Sequence, residues 1–193
     1  HQPRRQRQMC IRDRYQTVAY EFDDAQHGAD LFDLAVPGNI YSRIMNPTCD
    51  VLEQRVAALE GGVGALAVSA GSAAINYAIL NLATAGDNIV TVPQLYGGTY
   101  TLFAHMLPSQ GIEVRFAEND SVAALEALID DRTKAIFLET IGNPAGNIVD
   151  IEAVATMARQ RGVATIADNT VASPALLKPC LLYTSPSPRD SNL

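Results

Sequence analysis

From about residue 47 the apolar positions alternate between helical spacing and short continuous runs. Leu52, Val56 and Leu59 share a helical face after Pro47-Thr48, and Gly61-Gly62 ends that helix. Residues 65–68 form an apolar run of strand length, and Ile75, Ala78, Ile79 and Leu82 then follow the i, i+3, i+4, i+7 rule of a packed helix. The pattern continues with strands predicted over 88–92, 112–116, 135–138 and 163–167, separated by helices over 99–107, 122–129 and 151–161. Strands joined by helices imply right-handed crossovers and a mainly parallel sheet covered by helices, an α/β fold. Residues 15–46 lack this rhythm. They are polar and aromatic, with turns expected at His27-Gly28 and Pro37-Gly38, and read as an extended N-terminal arm.

In such sheets ligands gather outside the carboxyl ends of the strands. Four segments leave those ends here: Ser69-Ala70-Gly71-Ser72, Pro93 to Gly98 around Tyr96, Glu139 to Pro144, and Asp168-Asn169-Thr170. Small, aromatic, amide and carboxylate groups on one edge suggest a ligand site. Each also has a plain structural reading. Ser69 to Ser72 either cap a helix or aim backbone N–H groups at a phosphate. Tyr96 either packs or stacks on a ring, and Asn143 before Pro144 suits an ordinary turn. Asp168 ends an apolar strand, where a carboxylate needs a partner, either a structural cap or a bound group. Gly62-Val63-Gly64-Ala65-Leu66-Ala67 fits the G-x-G-x-x-A fingerprint of dinucleotide sites. It follows a helix and opens a strand, the reverse of the context that motif requires, which argues against a nicotinamide dehydrogenase.

The chain has 193 residues, 48% of them hydrophobic, enough for one α/β domain with a core. No apolar run approaches the ~20 residues of a membrane span. Five arginines against Asp13 give residues 1–14 a charge of +4, and Arg189 cancels Asp190. Of the net −7, residues 15–180 therefore carry −11, a poor match to nucleic acid. Cys10, Cys49 and Cys180 are odd in number and widely spaced, as in a reducing, cytoplasmic compartment. His1, His27 and His105 form no ligand cluster, and no metal site is expected. Both termini break the periodic pattern. QRQMCIRDR and CLLYTSPSPRDS resemble translated adapter sequence, so 1–14 are expected to be a non-native leader and 181–193 a non-native tail. Residues 47–180 are then the α/β domain itself.

GNIYSRIMNPT at 38–48, LYGGTY at 95–100, FLETIGNP at 137–144 and IADNTVASP at 166–174 stand in the order and spacing of the Cys/Met-metabolism enzymes that use pyridoxal 5′-phosphate (PLP). The chain resembles that family from about Tyr15 to Pro179. The resemblance implies the large domain of the aspartate-aminotransferase-like fold (PLP fold type I), in a homotetramer of intimate dimers. It implies that Gly71 and Ser72 give backbone N–H groups to the PLP phosphate and that Tyr96 stacks on the pyridine ring. Asn143 would contact the 3′-oxygen, Asp168 would hold the ring nitrogen protonated, and Thr170 belongs to the same cofactor-binding set. Tyr41 and Arg43 would reach the phosphate of the neighbouring subunit, a task suited to the planar guanidinium fork. Two positions depart from the family pattern: Ser69-Ala70-Gly71-Ser72 differs from the commoner Ser-Ser-Gly-Met, and Val171 replaces a usual Phe.

Ile141-Gly142 and the stretch NIYSRIMNPT look like those of O-acetylhomoserine sulfhydrylases, whereas cystathionine synthases and lyases more often have a Ser-Pro-Thr version of the Asn-Pro loop. The implied reaction is γ-replacement, in which sulfide or a thiol displaces acetate from O-acetylhomoserine to give homocysteine or methionine. A cystathionine or methionine γ-lyase, or a cystathionine γ-synthase, is the alternative within the family. A non-catalytic Rossmann-like binding module is the alternative outside it. The only lysines are Lys134 and Lys178. Neither lies in a Ser-Ala-Thr-Lys segment like the one that carries the family's Schiff-base lysine, so no catalytic lysine is assigned and the 193-residue chain is expected to be inactive alone.

Overall fold

The computed structural model describes residues 14–183, and the expected leader and tail fall almost wholly outside them. The chain divides into two compact units. One holds the residues up to Ala58 together with Val63–Ala67, and the other holds Leu59–Gly62 and the residues from Val68 onward. No helix among the described residues is long and apolar enough to cross a membrane.

In chain order the elements are α1 (Ala25–Phe32), α2 (Pro47–Glu60), α3 (Gly71–Leu82), β1 (Asn88–Thr91), α4 (Gly97–Thr101), a π-helical turn (Leu102–Met106), α5 (Leu107–Ser109), β2 (Glu113–Phe116), α6 (Val122–Glu126), β3 (Thr133–Glu139), α7 (Ile151–Gln160), β4 (Ala164–Asp168), α8 (Ser173–Leu176) and α9 (Pro179–Tyr183). The sheet order is β2-β1-β3-β4, and every pairing is parallel. β1 is buried along its whole length, and β3 is buried except at the partly exposed Lys134. This is the continuous apolar pattern of strands covered on both faces. The core joins Ile89, Val90, Ile136 and Leu138 to Val154 and Ala158 of α7, and Phe103 meets Phe137 edge-on at 4.9 Å between ring centres.

The predicted strands and helices form, with one interruption and one absence. The helix expected over 99–107 is broken by a π turn just before Pro108, where Leu107 N–H bonds Leu102 C=O. Proline has no N–H and its ring crowds the carbonyl one turn back, so the helix widens there. The strand expected over 65–68 does not form. Residues 65–67 are exposed, Leu66 at 76%, and the sheet order places no strand beside them. An apolar run becomes a strand only when a neighbour takes its backbone N–H and C=O groups.

The N-terminal unit is more regular than its polarity suggests. α1 occupies residues read as a turn at His27-Gly28: Asp24 caps it by accepting His27 N–H at 2.7 Å, and Gln26 Nε2 donates to Asp30 one turn on. Leu31 of α1 is buried against Gly38, where a Cβ would come within 2.5 Å of Leu31 Cδ2. Residues 18–20 pair with 40–42 through Tyr20 N–H to Ile40 C=O and Ser42 N–H to Val18 C=O, beside an antiparallel bridge at Ala19 and Tyr41. α2 forms as expected and ends at Gly61, whose φ of +71° suits glycine. Its Leu52, Val56 and Leu59 remain exposed, and none of its residues is buried among the described ones.

At the amino edge of the sheet lies a charged cluster. Asp130 accepts Asn88 Nδ2 at 2.7 Å and pairs with Arg115 at 2.9 Å, and Arg115 also pairs with Glu113. The hydrogen bond from Asn88, then Arg132 N–H and Arg115, hold the Asp130 carboxyl well below the ordinary carboxylate range against the opposing effect of burial. Lys134 Nζ lies 3.5 Å from Asp87 at the same edge.

Candidate functional site

At the opposite, carboxyl edge, a cleft of about 320 Å³ is lined by Gly71, Ser72, Tyr96, Glu139, Asn143 and Asp168, with Thr170 and Val171 beside them. The parallel sheet explains this convergence, because every strand exit falls on one side.

α3 points its first turn at the cleft. Its N-cap is Ala70, extended at φ −157° and ψ 152°, which has no side chain that can cap. Ser69 and Ser72 therefore do not act as the N-cap residue, and the first-turn N–H groups have no side-chain cap from that position. A Cβ added at Gly71 would meet nothing within 4 Å, so the space over these amides is open. Uncapped N–H groups at the positive end of a twelve-residue helix suit an anion.

Asp168 ends β4 in register with Glu139 at the end of β3. Its Oδ1 accepts Thr170 N–H at 3.0 Å and Thr170 Oγ1 at 2.5 Å. Those two bonds fix the carboxylate and engage one oxygen, leaving Oδ2 as the oxygen for a ligand. Thr140 N–H bonds Asp168 C=O at 3.0 Å, which extends the pairing one residue beyond the strands.

Tyr96 stands before α4 and is 53% exposed. A Cβ at Gly98 would lie 2.7 Å from Tyr96 Cε1, so glycine there lets the ring lie against the helix start. Asn143 belongs to a tight loop in which Gly142 N–H bonds Asn147 C=O at 2.9 Å and Gly146 N–H bonds Gly142 C=O at 2.7 Å. Asn147 Nδ2 ties the loop to Asp120 at 3.0 Å, and the Asn143–Pro144 peptide is cis.

Six of the eight residues singled out from the sequence thus line one cleft: Gly71, Ser72, Tyr96, Asn143, Asp168 and Thr170. Tyr41 and Arg43 lie in the N-terminal unit, outside that lining. They pair with each other, the Arg43 guanidinium 4.9 Å from the Tyr41 ring centre and Nη2 bonded to the Tyr41 hydroxyl. Glu139 also lines the cleft and was not singled out. It is only 4% exposed, and accepts Tyr96 N–H at 2.6 Å and Asn143 N–H at 3.0 Å. The need for a partner was visible in the sequence, because an acid closing the apolar run 135–138 costs desolvation unless it is paired, as for Asp168.

The family described as Cys/Met metabolism PLP-dependent enzyme matches residues 1–183. O-acetyl-L-homoserine sulfhydrylase 1 of Thermus thermophilus is 55% identical over 157 residues, which are 81% of this chain and 37% of that protein. Among solved structures, an O-acetylhomoserine (thiol)-lyase of Campylobacter jejuni, with a pyridoxyl-lysine phosphate, aligns with a TM-score of 0.84 at 46% identity. That alignment covers 87% of this chain and 41% of the other. Cystathionine gamma-lyase of Lactobacillus plantarum, complexed with L-serine, aligns at 0.80 with 35% identity, covering 88% and 42%. The fold is therefore that of the PLP fold type I enzymes. The chain spans 35% to 37% of the length of curated relatives such as these sulfhydrylases and the homocysteine/cysteine synthase of Kluyveromyces lactis.

Proposed function

Because this chain belongs to the Cys/Met metabolism PLP-dependent enzyme family, we propose that its cleft is the cofactor half of a sulfhydrylase active site. The observation that carries the reading is the convergence of an uncapped helix start, a braced carboxylate and an exposed aromatic ring on one cleft. When bound, PLP supplies an electron sink for charge released at the substrate α-carbon.

The chain's own residues do the rest. The Gly71 and Ser72 amides hold the phosphate at the positive end of α3, so replacing Met by Ser at position 72 leaves the binding groups unchanged. Asp168 Oδ2 would accept a hydrogen bond from the protonated ring nitrogen and so favour its protonated form, while Thr170 holds the other carboxylate oxygen in place. Tyr96 covers one face of the ring, worth about 0.5–1.5 kcal/mol beyond burial. Asn143 donates to the 3′-oxygen. Tyr41 and Arg43, already joined as a pair, reach the phosphate of a neighbouring subunit in a homotetramer of intimate dimers.

The reaction proposed for an enzyme carrying this segment is replacement of acetate on O-acetylhomoserine by sulfide or a thiol, in the cytoplasm. Identity of 55% and 51% to two O-acetyl-L-homoserine sulfhydrylases, against 35% to a cystathionine gamma-lyase, favours replacement over elimination. The test is acetate release from O-acetylhomoserine by such an enzyme, with and without sulfide. Sulfide-dependent release with homocysteine as product, lost in Asp168→Ala, is expected. Release of 2-oxobutyrate and ammonia regardless of sulfide would favour the γ-lyase instead.

A further inference from the structure

The cleft is flanked by two loops that come from different strands, the one carrying Tyr96 after β1 and the one carrying Asn143 after β3. They are 47 residues apart in sequence and meet at one side chain. Glu139 Oε1 accepts Tyr96 N–H at 2.6 Å, and Glu139 Oε2 accepts Asn143 N–H at 3.0 Å. Each oxygen holds one loop. Glu139 is 4% exposed, whereas Tyr96 is 53% exposed and Asn143 is exposed. A buried charge is kept only where it is hydrogen-bonded, and bonds from N–H to a carboxylate are about twice as strong as neutral ones.

We propose that Glu139 is a positioning residue for the cofactor: its carboxylate clasps the Tyr96 and Asn143 loops together and so sets the ring-stacking and ring-oxygen contacts at once. This rests on the cofactor reading above. The two side chains nearest to it in shape do not satisfy both bonds. Glutamine has one acceptor oxygen and turns its NH₂ group toward the second backbone N–H, so two donors face each other. Aspartate is one methylene shorter and reaches one loop at most. Glu139 touches neither Gly71 nor Ser72 among the described hydrogen bonds, so its influence falls on the ring end of the ligand and spares the phosphate end.

The test uses the full 193-residue chain with two probes, pyridoxine 5′-phosphate and inorganic phosphate, whose binding is measured by equilibrium dialysis for the unsubstituted chain and Glu139→Gln. Losing one charge-assisted hydrogen bond and leaving its donor buried costs roughly 1.5–3 kcal/mol, or about 10- to 150-fold in affinity. Glu139→Gln is expected to weaken pyridoxine 5′-phosphate by at least about tenfold and inorganic phosphate by less than about twofold. A general loss of structure would weaken both probes alike and would overturn the positioning role. Equal pyridoxine 5′-phosphate affinity in the two chains would overturn it as well. If the unsubstituted chain binds inorganic phosphate but not pyridoxine 5′-phosphate, the cofactor reading falls first and this proposal with it. A second measurement needs no variant: amide hydrogen exchange in the unsubstituted chain should show Tyr96 and Asn143 protected despite their exposed side chains. Free exchange at either amide would refute the clasp.

Discussion

Asp168→Asn separates the ring contact from every other part of the cleft. The substitution keeps the shape of the side chain and removes its charge. With Thr170 N–H and Oγ1 both directed at Oδ1, the asparagine carbonyl takes that place and its NH₂ group faces the ligand. A protonated pyridine nitrogen then meets a donor instead of an acceptor. A carboxylate beside a cation shifts the cation's pKa by ~1–3 units, each worth ~1.4 kcal/mol. Removing it should weaken a ring-protonated ligand by roughly 10- to 1,000-fold. Because the carboxylate raises the pKa of the bound ring, its contribution is full at low pH and fades as pH rises through that raised value. The assay is the absorbance of bound pyridoxine 5′-phosphate titrated with base, together with its affinity at pH 7. The ring of the ligand bound to Asp168→Asn should lose its proton at a lower pH than in the unsubstituted chain, while inorganic phosphate binding stays within about twofold, since the α3 amides are untouched. An unchanged ring titration would refute the assignment of Asp168 to the ring nitrogen.

Three further outcomes are expected. Gly98→Ala places a Cβ 2.7 Å from Tyr96 Cε1 and must displace the ring, so pyridoxine 5′-phosphate should bind about 2- to 10-fold more weakly, with unfolding midpoints in urea showing that the fold is kept. Asp130 is held below the ordinary carboxylate range, so its stabilising contribution is present above its unfolded pKa of about 4 and is lost as pH falls below that. Urea midpoints of Asp130→Asn should therefore be lower than those of the unsubstituted chain at pH 7 and converge with them toward pH 2. Finally, Lys134 pairs with Asp87 at the amino edge, five residues and about 16 Å of strand from Glu139, and Lys178 is absent from the cleft lining. Borohydride treatment of the 193-residue chain with PLP should leave no stoichiometric lysine adduct that pyridoxine 5′-phosphate competes away, as read by peptide mass spectrometry; such an adduct on Lys178 would overturn the assignment of roles.

Much of this architecture was legible in the sequence because its signals are local. The alternation of apolar runs with helical spacing marks β1 to β4 and the helices between them, and the parallel direction of those strands alone puts Tyr96, Asn143 and Asp168 on one edge. α1 was also written locally, in the Asp24 cap, but the polar character of the arm hid it. Other features depend on what lies across space. Residues 65–68 carry the composition of a strand and pair with none of the described strands, because a ladder is a property of two segments and composition belongs to one. Whether Ser69 or Ser72 caps α3 turned on which residue occupies the N-cap position, and that is Ala70. Which groups partner Glu139 could not be read from its own neighbourhood in sequence, since one of the two, the Tyr96 amide, stands 43 residues away. The sequence alone determined which residues reach the carboxyl edge, through periodicity and strand direction. Only the tertiary structure decided which of them hold one another, because hydrogen bonding acts over about 3 Å and chain spacing does not encode that distance.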